Sequence, residues 1–179
     1  YDIKALLRLI CCSSVYRLSS DANEHNLNDH SYARYYPKRL QAEVLLDAVD
    51  QVLMTNTSFA GMPADTRAVS LPDTNFSSYF LDVFGKPEAT TACECERSQE
   101  ATLAQSLHLL NSKEIQAKLS SDSSLPASMA ASSDSAERKI EQLYLAALSR
   151  TPTEGEMQTA VEYLASKASE PRLAYEDLV

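Results

Sequence analysis

Apolar residues recur at helical spacing along most of the chain, and no segment shows the strict alternation typical of a β-strand. Asp2 precedes an apolar series at Ile3, Leu6, Leu7 and Ile10, which predicts a capped first helix. Pro37 suits the first turn of a second helix. The apolar stripe of that helix would comprise Leu40, Val44, Leu45, Ala48, Val49 and Val52. We therefore predict an all-α fold, an irregular multi-helix domain of about seven helices with two long loops.

Further helices are predicted where capping residues precede apolar stripes. Ser98 would cap a helix over Gln99–Leu110, with Leu103, Leu107 and Leu110 on one face. The other boundaries are set by residues typical of helix ends: Gly85 after a short helix over 76–84, Ser112 before Ile115 and Leu119, the capping-box pair Thr153 and Glu156, and Pro171. Thr55–Asn75 should be irregular, because it holds Gly61, Pro63 and Pro72.

We interpret residues 1–179 as one helical domain. Within it, residues 120–135 are rich in Ser and Ala and predict a flexible linker. Helix-like patterns run into both ends, so we expect the chain to be a fragment of a longer polypeptide.

The composition of the chain disfavours some classes of partner and of fold. The 16 basic and 25 acidic residues give a net charge of −9, which disfavours nucleic acid or an anionic membrane as the main partner of the chain. The sequence contains only 3 glycines, which argues against a sheet-rich fold with many tight turns. No run of about 18 apolar residues is present to predict a transmembrane segment.

Cys93-Glu94-Cys95 is the sharpest local motif, and it leaves three interpretations open. The two thiolates could bind a soft or borderline metal, with His108 as a more distant ligand. They could instead form a disulfide in an exported protein, either with each other or with Cys11 or Cys12. All four thiols could also be reduced and simply buried. Four cysteines allow three complete pairings, between which the sequence does not choose.

Charged and aromatic residues suggest further contacts. Four charged residues around Ser98 could form a network that holds the loop to the next helix: Glu94, Glu96, Arg97 and Glu100. On the second predicted helix Glu43, Asp47 and Asp50 lie on the polar side, and we expect a solvated face. Three tyrosines ahead of Pro37 could stack on a sugar or dock against a neighbouring domain: Tyr32, Tyr35 and Tyr36.

Several blocks resemble a known family. They read YDIKALLRLI, YYPKRLQAEVLLDAV, SYFLDVFGKPE, CECERSQEATLAQSLHLLNSKEIQAKL and IEQLYLAALSRTPTEGE. Together these blocks resemble the planctomycete-specific C-terminal domain of unknown function. The positions that match its strongest block are Cys93, Glu94, Cys95, Glu96, Arg97, Ser98, Leu103, His108 and Asn111. Cys11, Cys12 and the Ser-rich segment after Leu119 depart from the family pattern.

The resemblance implies a large exported or cell-surface bacterial protein, in which this domain follows cytochrome-c-like domains. It transfers no catalytic residue, because the family is uncharacterised. The chain lacks a C-x-x-C-H haem-attachment motif, so we expect no cofactor here and place any haem in an upstream domain.

No catalytic constellation stands out, so we interpret the chain as a non-catalytic module rather than an enzyme. It would dock onto neighbouring domains of the same polypeptide or onto another surface protein. Two alternatives stay open: a redox- or metal-associated accessory domain that uses Cys93, Cys95 and His108, and a carbohydrate-binding surface around Tyr32, Tyr35 and Tyr36.

Overall fold

The computed structural model describes residues 2–28, 30–72, 76–86 and 102–179, and these residues form α-helices with no β-strand among them. The all-α prediction is confirmed. The helices are α1 Ile3–Cys11, α2 Ala42–Leu53, α3 Tyr79–Val83, α4 Leu103–Asn111, α5 Lys113–Leu119, α6 Leu125–Ala131, α7 Ala136–Leu148, α8 Glu154–Ser166 and α9 Pro171–Leu178, with a 3-10 turn at Ala68–Ser70.

The chain, which the sequence pattern presents as one domain, divides into two compact units. The first unit is Tyr1–Arg39 and the second is Leu40–Val179. The first unit contains α1 and a long loop, and no residue of α1 is buried. The second unit contains the remaining helices and the hydrophobic clusters.

Predicted boundary residues explain where several helices begin or end. The Asp2 carboxylate accepts a hydrogen bond from the Ala5 N–H at 2.9 Å and so starts α1. Ser112 caps α5, and Thr153 forms a capping box with Glu156 at the start of α8. Gly85 follows α3 with a φ of 85°, a left-handed conformation that glycine adopts without a steric penalty.

The larger hydrophobic cluster of the second unit lies between α2, α3, α5 and the segment after α2. Its buried members are Ala42, Leu46, Phe59, Ala68, Phe80, Leu81, Phe84 and Ile115. The Phe80 and Phe84 rings stack with centroids 4.4 Å apart, and Phe59 meets Phe76 edge-on at 6.2 Å. Burial of Phe59 anchors the long irregular segment that the sequence predicts.

Two carboxylates of α2 are buried, and the prediction of a solvated face for them is wrong. The Asp47 carboxylate accepts hydrogen bonds from the N–H groups of Ala68 at 2.6 Å and Val69 at 3.2 Å. Asp50 accepts hydrogen bonds from the Thr57 N–H at 2.8 Å and the Thr57 hydroxyl at 2.7 Å. These donors replace water around both carboxylates, so the polar positions of α2 hold the irregular segment against the helix.

The start and the buried face of α2 also differ from the prediction. The helix begins at Ala42, five residues after Pro37, and Gln41 is still extended with ψ at 151°. Leu46 and Leu53 are buried, whereas Leu40 and Val44 are exposed. Because Asp47 and Asp50 lie inward, the buried face is rotated away from the stripe that hydrophobicity alone predicts.

A smaller cluster joins α6, α7 and α9 through Met129, Leu143 and Tyr175. Helix α6 lies within residues 120–135, for which the sequence predicts a flexible linker. Ser124 caps this helix, and its hydroxyl donates to the Leu119 carbonyl at 2.8 Å. The Lys139 ammonium donates to the Ser132 carbonyl at 2.8 Å. The flexibility of this segment stays a prediction.

Candidate functional site

Helix α4 exposes its apolar side. Leu103, Leu107 and Leu110, which the sequence places on one face, have exposed fractions of 75%, 49% and 71%. They follow one another at spacings of four and three residues, which align them on the helix surface. We call these three residues the leucine stripe. A hydrophobic stripe of this kind normally faces the core, so its exposure is the unusual feature of this helix.

The side of α4 that faces the protein is polar. Gln105 is 5% exposed, and its side-chain amide donates to the Val83 carbonyl at 3.0 Å. The oxygen of the same amide accepts from the Thr102 N–H at 3.0 Å, and Thr102 caps the helix in return. Gln105 therefore starts α4 and ties it to the end of α3. This polar anchor fixes the rotation of α4 and turns the leucine stripe outward.

His108 is the second buried residue of α4, at 8% exposed. Its ring centroid lies 5.1 Å from Tyr79, 5.5 Å from Phe80 and 6.1 Å from Phe84. The Nε2 atom is buried and has no hydrogen-bond partner within the described ranges. Edge contacts with aromatic rings stabilise an imidazole, but they replace a hydrogen bond only in part.

A cavity of about 550 Å³ adjoins the leucine stripe. Its lining includes Tyr79, Ala104, Leu107, His108, Asn111 and Lys113. Tyr79 and Leu107 form exposed apolar walls, whereas Asn111 and Lys113 add polar groups. This combination suits a large apolar side chain that enters from outside and is surrounded by polar groups.

Most residues of the predicted signature lie outside the described residues: Cys93, Glu94, Cys95, Glu96, Arg97 and Ser98. The disulfide, the metal site and the charged network that involve them stay predictions. Asn111, from the same signature, is exposed, and its amide donates to the Leu107 carbonyl at 3.3 Å. No group of three His, Cys, Asp or Glu residues able to hold a metal occurs within the described ranges.

The remaining predicted residues lie in the first unit. Cys11 and Cys12 are exposed free cysteines at the end of α1. Tyr32 and Tyr35 are exposed, but the Tyr36 ring is covered by the Arg34 guanidinium at 4.5 Å from its centroid. The Tyr36 hydroxyl also donates to the Asn28 carbonyl at 2.9 Å. Two of the three tyrosines therefore remain available for contact.

A further group of interacting side chains joins α7, α8 and α9, and of these the sequence predicts only the capping role of Glu156. The Arg150 guanidinium binds the Glu156 carboxylate through two hydrogen bonds of 2.8 and 2.7 Å and lies 5.4 Å from the Tyr144 ring centroid. These bonds, with the Thr153 N–H, lower the pKa of Glu156 from 4.5 to about 2. The Tyr163 hydroxyl donates to Asp177 at 2.6 Å, which raises the pKa of the phenol.

Sequence reasoning missed Gln105 and Tyr79 as parts of the candidate site. The signal for Gln105 was present, because Thr102 and Gln105 have the spacing of a capping box. Tyr79 had no such signal, since its contact with His108 depends on how α3 and α4 pack. The pairing of Lys118 with Asp50 could not be predicted from local patterns either, because the two residues lie 68 positions apart in the sequence.

A family model matches most of the chain. The model of PSD1, described as a protein of unknown function (DUF1553), matches residues 1–164. The chain belongs to this family. The PSD1 match includes α1 and the candidate site on α4, whereas α9 lies beyond it. The expectation of an unknown-function domain family is thus confirmed.

No curated protein and no solved structure matches this PSD1 chain. Among the helices in the described part of the chain, none has the length and apolar character needed to cross a membrane.

Proposed function

We propose that this PSD1 chain is a non-catalytic docking module, and that the leucine stripe of α4 receives an amphipathic helix. The helix would belong to a neighbouring domain of the same polypeptide or to another surface protein. The observation that carries the proposal is the inverted burial of α4, in which Gln105 and His108 are buried while Leu103, Leu107 and Leu110 are exposed.

Burial of the leucine stripe supplies the driving force. Full burial of a leucine side chain contributes roughly 1.5–3 kcal/mol, so three partly exposed leucines supply several kcal/mol towards association. Part of this is offset by the lost translational and side-chain freedom of the two partners. A helix that lays its own apolar residues along the stripe is a common recognition mode for such a surface.

The site also indicates what the partner helix should look like. The cavity beside Tyr79 and His108 fits one large apolar anchor residue. Residues 40–179 carry ten basic and 21 acidic residues, so a partner with basic residues beside its apolar face is electrostatically favoured.

The family resemblance supports the cellular part of this proposal. The parent protein would be exported by a planctomycete-like bacterium and would carry cytochrome-c-like domains, with any haem bound upstream. The docking partner would then be one of those domains or a protein at the same surface.

Site-specific photo-crosslinking tests the docking proposal. A photoreactive phenylalanine analogue at Leu107 of the full-length parent, produced in its native host, should crosslink to a peptide with apolar residues at helical spacing. The matched control position is Leu145, which is 47% exposed on α7 against 49% for Leu107. The proposal fails if both positions crosslink equally, or if Leu103→Gln with Leu110→Gln leaves the Leu107 crosslink unchanged.

A metal-associated accessory domain is the second candidate function. The observation that favours it is the buried Nε2 of His108, which has no hydrogen-bond partner within the described residues. A metal held by this nitrogen and by the thiolates of Cys93 and Cys95 would satisfy it. Zinc or copper bound one per chain, lost in His108→Gln and retained in His25→Gln, would support this function. Four alkylatable thiols with no bound metal would exclude it.

A further inference from the structure

The negative charge of the chain is unevenly distributed. Residues 1–39 carry six basic and four acidic residues, a net charge of +2 within a chain of −9. Between Asp2 and Asp21 there are three basic residues, Lys4, Arg8 and Arg17, and no acidic residue. Of the two carboxylates that bound this segment, Asp2 is engaged as the cap of α1, and Asp21 accepts a hydrogen bond from the Ser19 hydroxyl at 2.8 Å. The segment that contains α1 is therefore locally cationic.

Helix α1 combines this charge with an exposed apolar face. Ile3, Leu6, Leu7 and Ile10 recur at the spacing of one helix face, and their exposed fractions lie between 46% and 67%. Leu9 is 71% exposed beside them. Lys4 and Arg8 lie four residues apart on the polar side of the helix. A short helix with a wide apolar arc and basic polar residues has the character of helices that lie in a membrane interface.

Exposed residues after α1 extend the same surface chemistry. Val15 and Tyr16 are 67% and 62% exposed, and Arg17 follows them directly. Tyrosine favours the boundary between lipid headgroups and acyl chains, since its ring is apolar and its hydroxyl is polar. Apolar, aromatic and basic side chains thus follow one another along this stretch without an intervening acidic residue.

We propose that α1 and the residues up to Arg17 form a surface that binds the interface of an anionic phospholipid bilayer. Leu6, Leu7 and Ile10 would enter the headgroup–acyl boundary, while Lys4 and Arg8 contact lipid phosphates. The local charge favours a lipid surface over a protein partner. Lys4, Arg8 and Arg17 have no acidic residue between them, and such a series of cations matches a uniformly anionic surface. This binding is independent of the α4 docking site, and the two can be tested separately.

Vesicle sedimentation of the full chain tests the proposal. Vesicles of phosphatidylcholine and phosphatidylglycerol in equal parts should carry the chain into the pellet. Vesicles of phosphatidylcholine alone should carry much less of the chain into the pellet. Leu6→Gln with Leu7→Gln should weaken partitioning by about tenfold or more, because two apolar groups no longer enter the interface. Lys4→Gln with Arg8→Gln should weaken binding to the anionic vesicles by a comparable factor, about tenfold, and remove the preference for them. Raised salt should have the same effect as the charge variant.

The matched control is Leu145→Gln with Leu148→Gln, which makes the same change at two exposed leucines of α7. This variant should sediment like the wild type, and circular dichroism should show that every variant keeps its helical content. The proposal is overturned if the wild type stays in solution with anionic vesicles, or if the control loses binding as much as the α1 variant. It is also overturned if the chain forms a dimer that Leu6→Gln with Leu7→Gln abolishes and no vesicle binding occurs, which would make a second copy the occupant of α1.

Discussion

At the scale of single residues, the stability of the second unit depends on carboxylates that a sequence pattern assigns to the surface. Asp50 forms an ion pair and hydrogen bond with the Lys118 ammonium and accepts from Thr55 and Thr57. The side chains of Asp50 and Lys118 are only 12% and 10% exposed. A charge in such a place is tolerated only because each partner compensates the other. Sequence patterns predict solvation here because the partners lie far apart along the chain.

We expect Asp50→Asn to destabilise the protein by about 3 kcal/mol, because it leaves the Lys118 charge buried without its partner. The double variant Asp50→Asn with Lys118→Met should lose less than the sum of the two single variants, since neither unpaired charge remains. Urea unfolding followed by circular dichroism measures all three values. Asp65→Asn, at an exposed aspartate, is the control and should change the unfolding free energy by no more than about 0.5 kcal/mol. Additive losses would show that the pair is not coupled.

The Arg150–Glu156 pair makes a prediction about pH. The pKa of Glu156 is lowered from 4.5 to about 2, chiefly by the hydrogen bonds from Arg150. A lowered folded-state pKa means that the ionised carboxylate stabilises the fold above pH 4.5, and that this contribution is lost as the pH falls towards 2. Glu156→Gln should therefore lower the Tm near neutral pH, and its difference from the wild type should shrink across that interval. Glu154→Gln, two residues earlier on the same helix, should show a smaller difference in Tm that changes less with pH.

At the scale of elements, several helix caps could be predicted and buried faces could not. The cap of α4 is Thr102 rather than the predicted Ser98. Asp2, Ser112 and the Thr153–Glu156 capping box act locally, within three residues of sequence, so a pattern detects them. The rotation of α2 and α4 depends instead on polar contacts with distant residues, such as Gln105 with Val83. Hydrophobic periodicity locates the stripe on α4 correctly. It does not decide whether the stripe is buried, because it contains no information on which polar groups find partners.

The orientation of α4 predicts that loss of a buried polar residue destabilises the protein more than loss of exposed leucines. Gln105→Ala should destabilise the second unit by about 2 kcal/mol, because it removes the capping contact and leaves the Val83 carbonyl without its donor. Leu103→Gln with Leu110→Gln should change the unfolding free energy by no more than about 0.5 kcal/mol, since both leucines are exposed. Thermal or urea unfolding of the isolated chain separates the two cases. A large loss in the leucine variant would mean that the stripe packs inside the protein, and the docking proposal would fall with it.

At the scale of the whole molecule, the two units differ in burial. The second unit has a hydrophobic core, whereas α1 of the first unit has no buried residue. The sequence predicts helices in both units, because α1 and α2 each have an apolar stripe. Burial separates them: α2 contributes Leu46 and Leu53 to buried positions, whereas α1 contributes no buried residue. Hydrophobic periodicity shows that a helix has an apolar face. It does not show what packs against that face, because this depends on the rest of the fold.

Hydrogen exchange measures this difference directly. An unpacked helix shorter than about 12–15 residues is marginal in water, so the amides of α1 should exchange within the earliest time points. Amides of α2 and α3, which pack around Leu46 and Phe80, should exchange far more slowly. Addition of phosphatidylglycerol vesicles should slow exchange in α1 alone, because a lipid interface stabilises an amphipathic helix. Slow exchange of α1 without vesicles would show that its apolar face is already covered in solution. In that case the lipid-binding inference would lose its basis, while the docking surface on α4 would be unaffected.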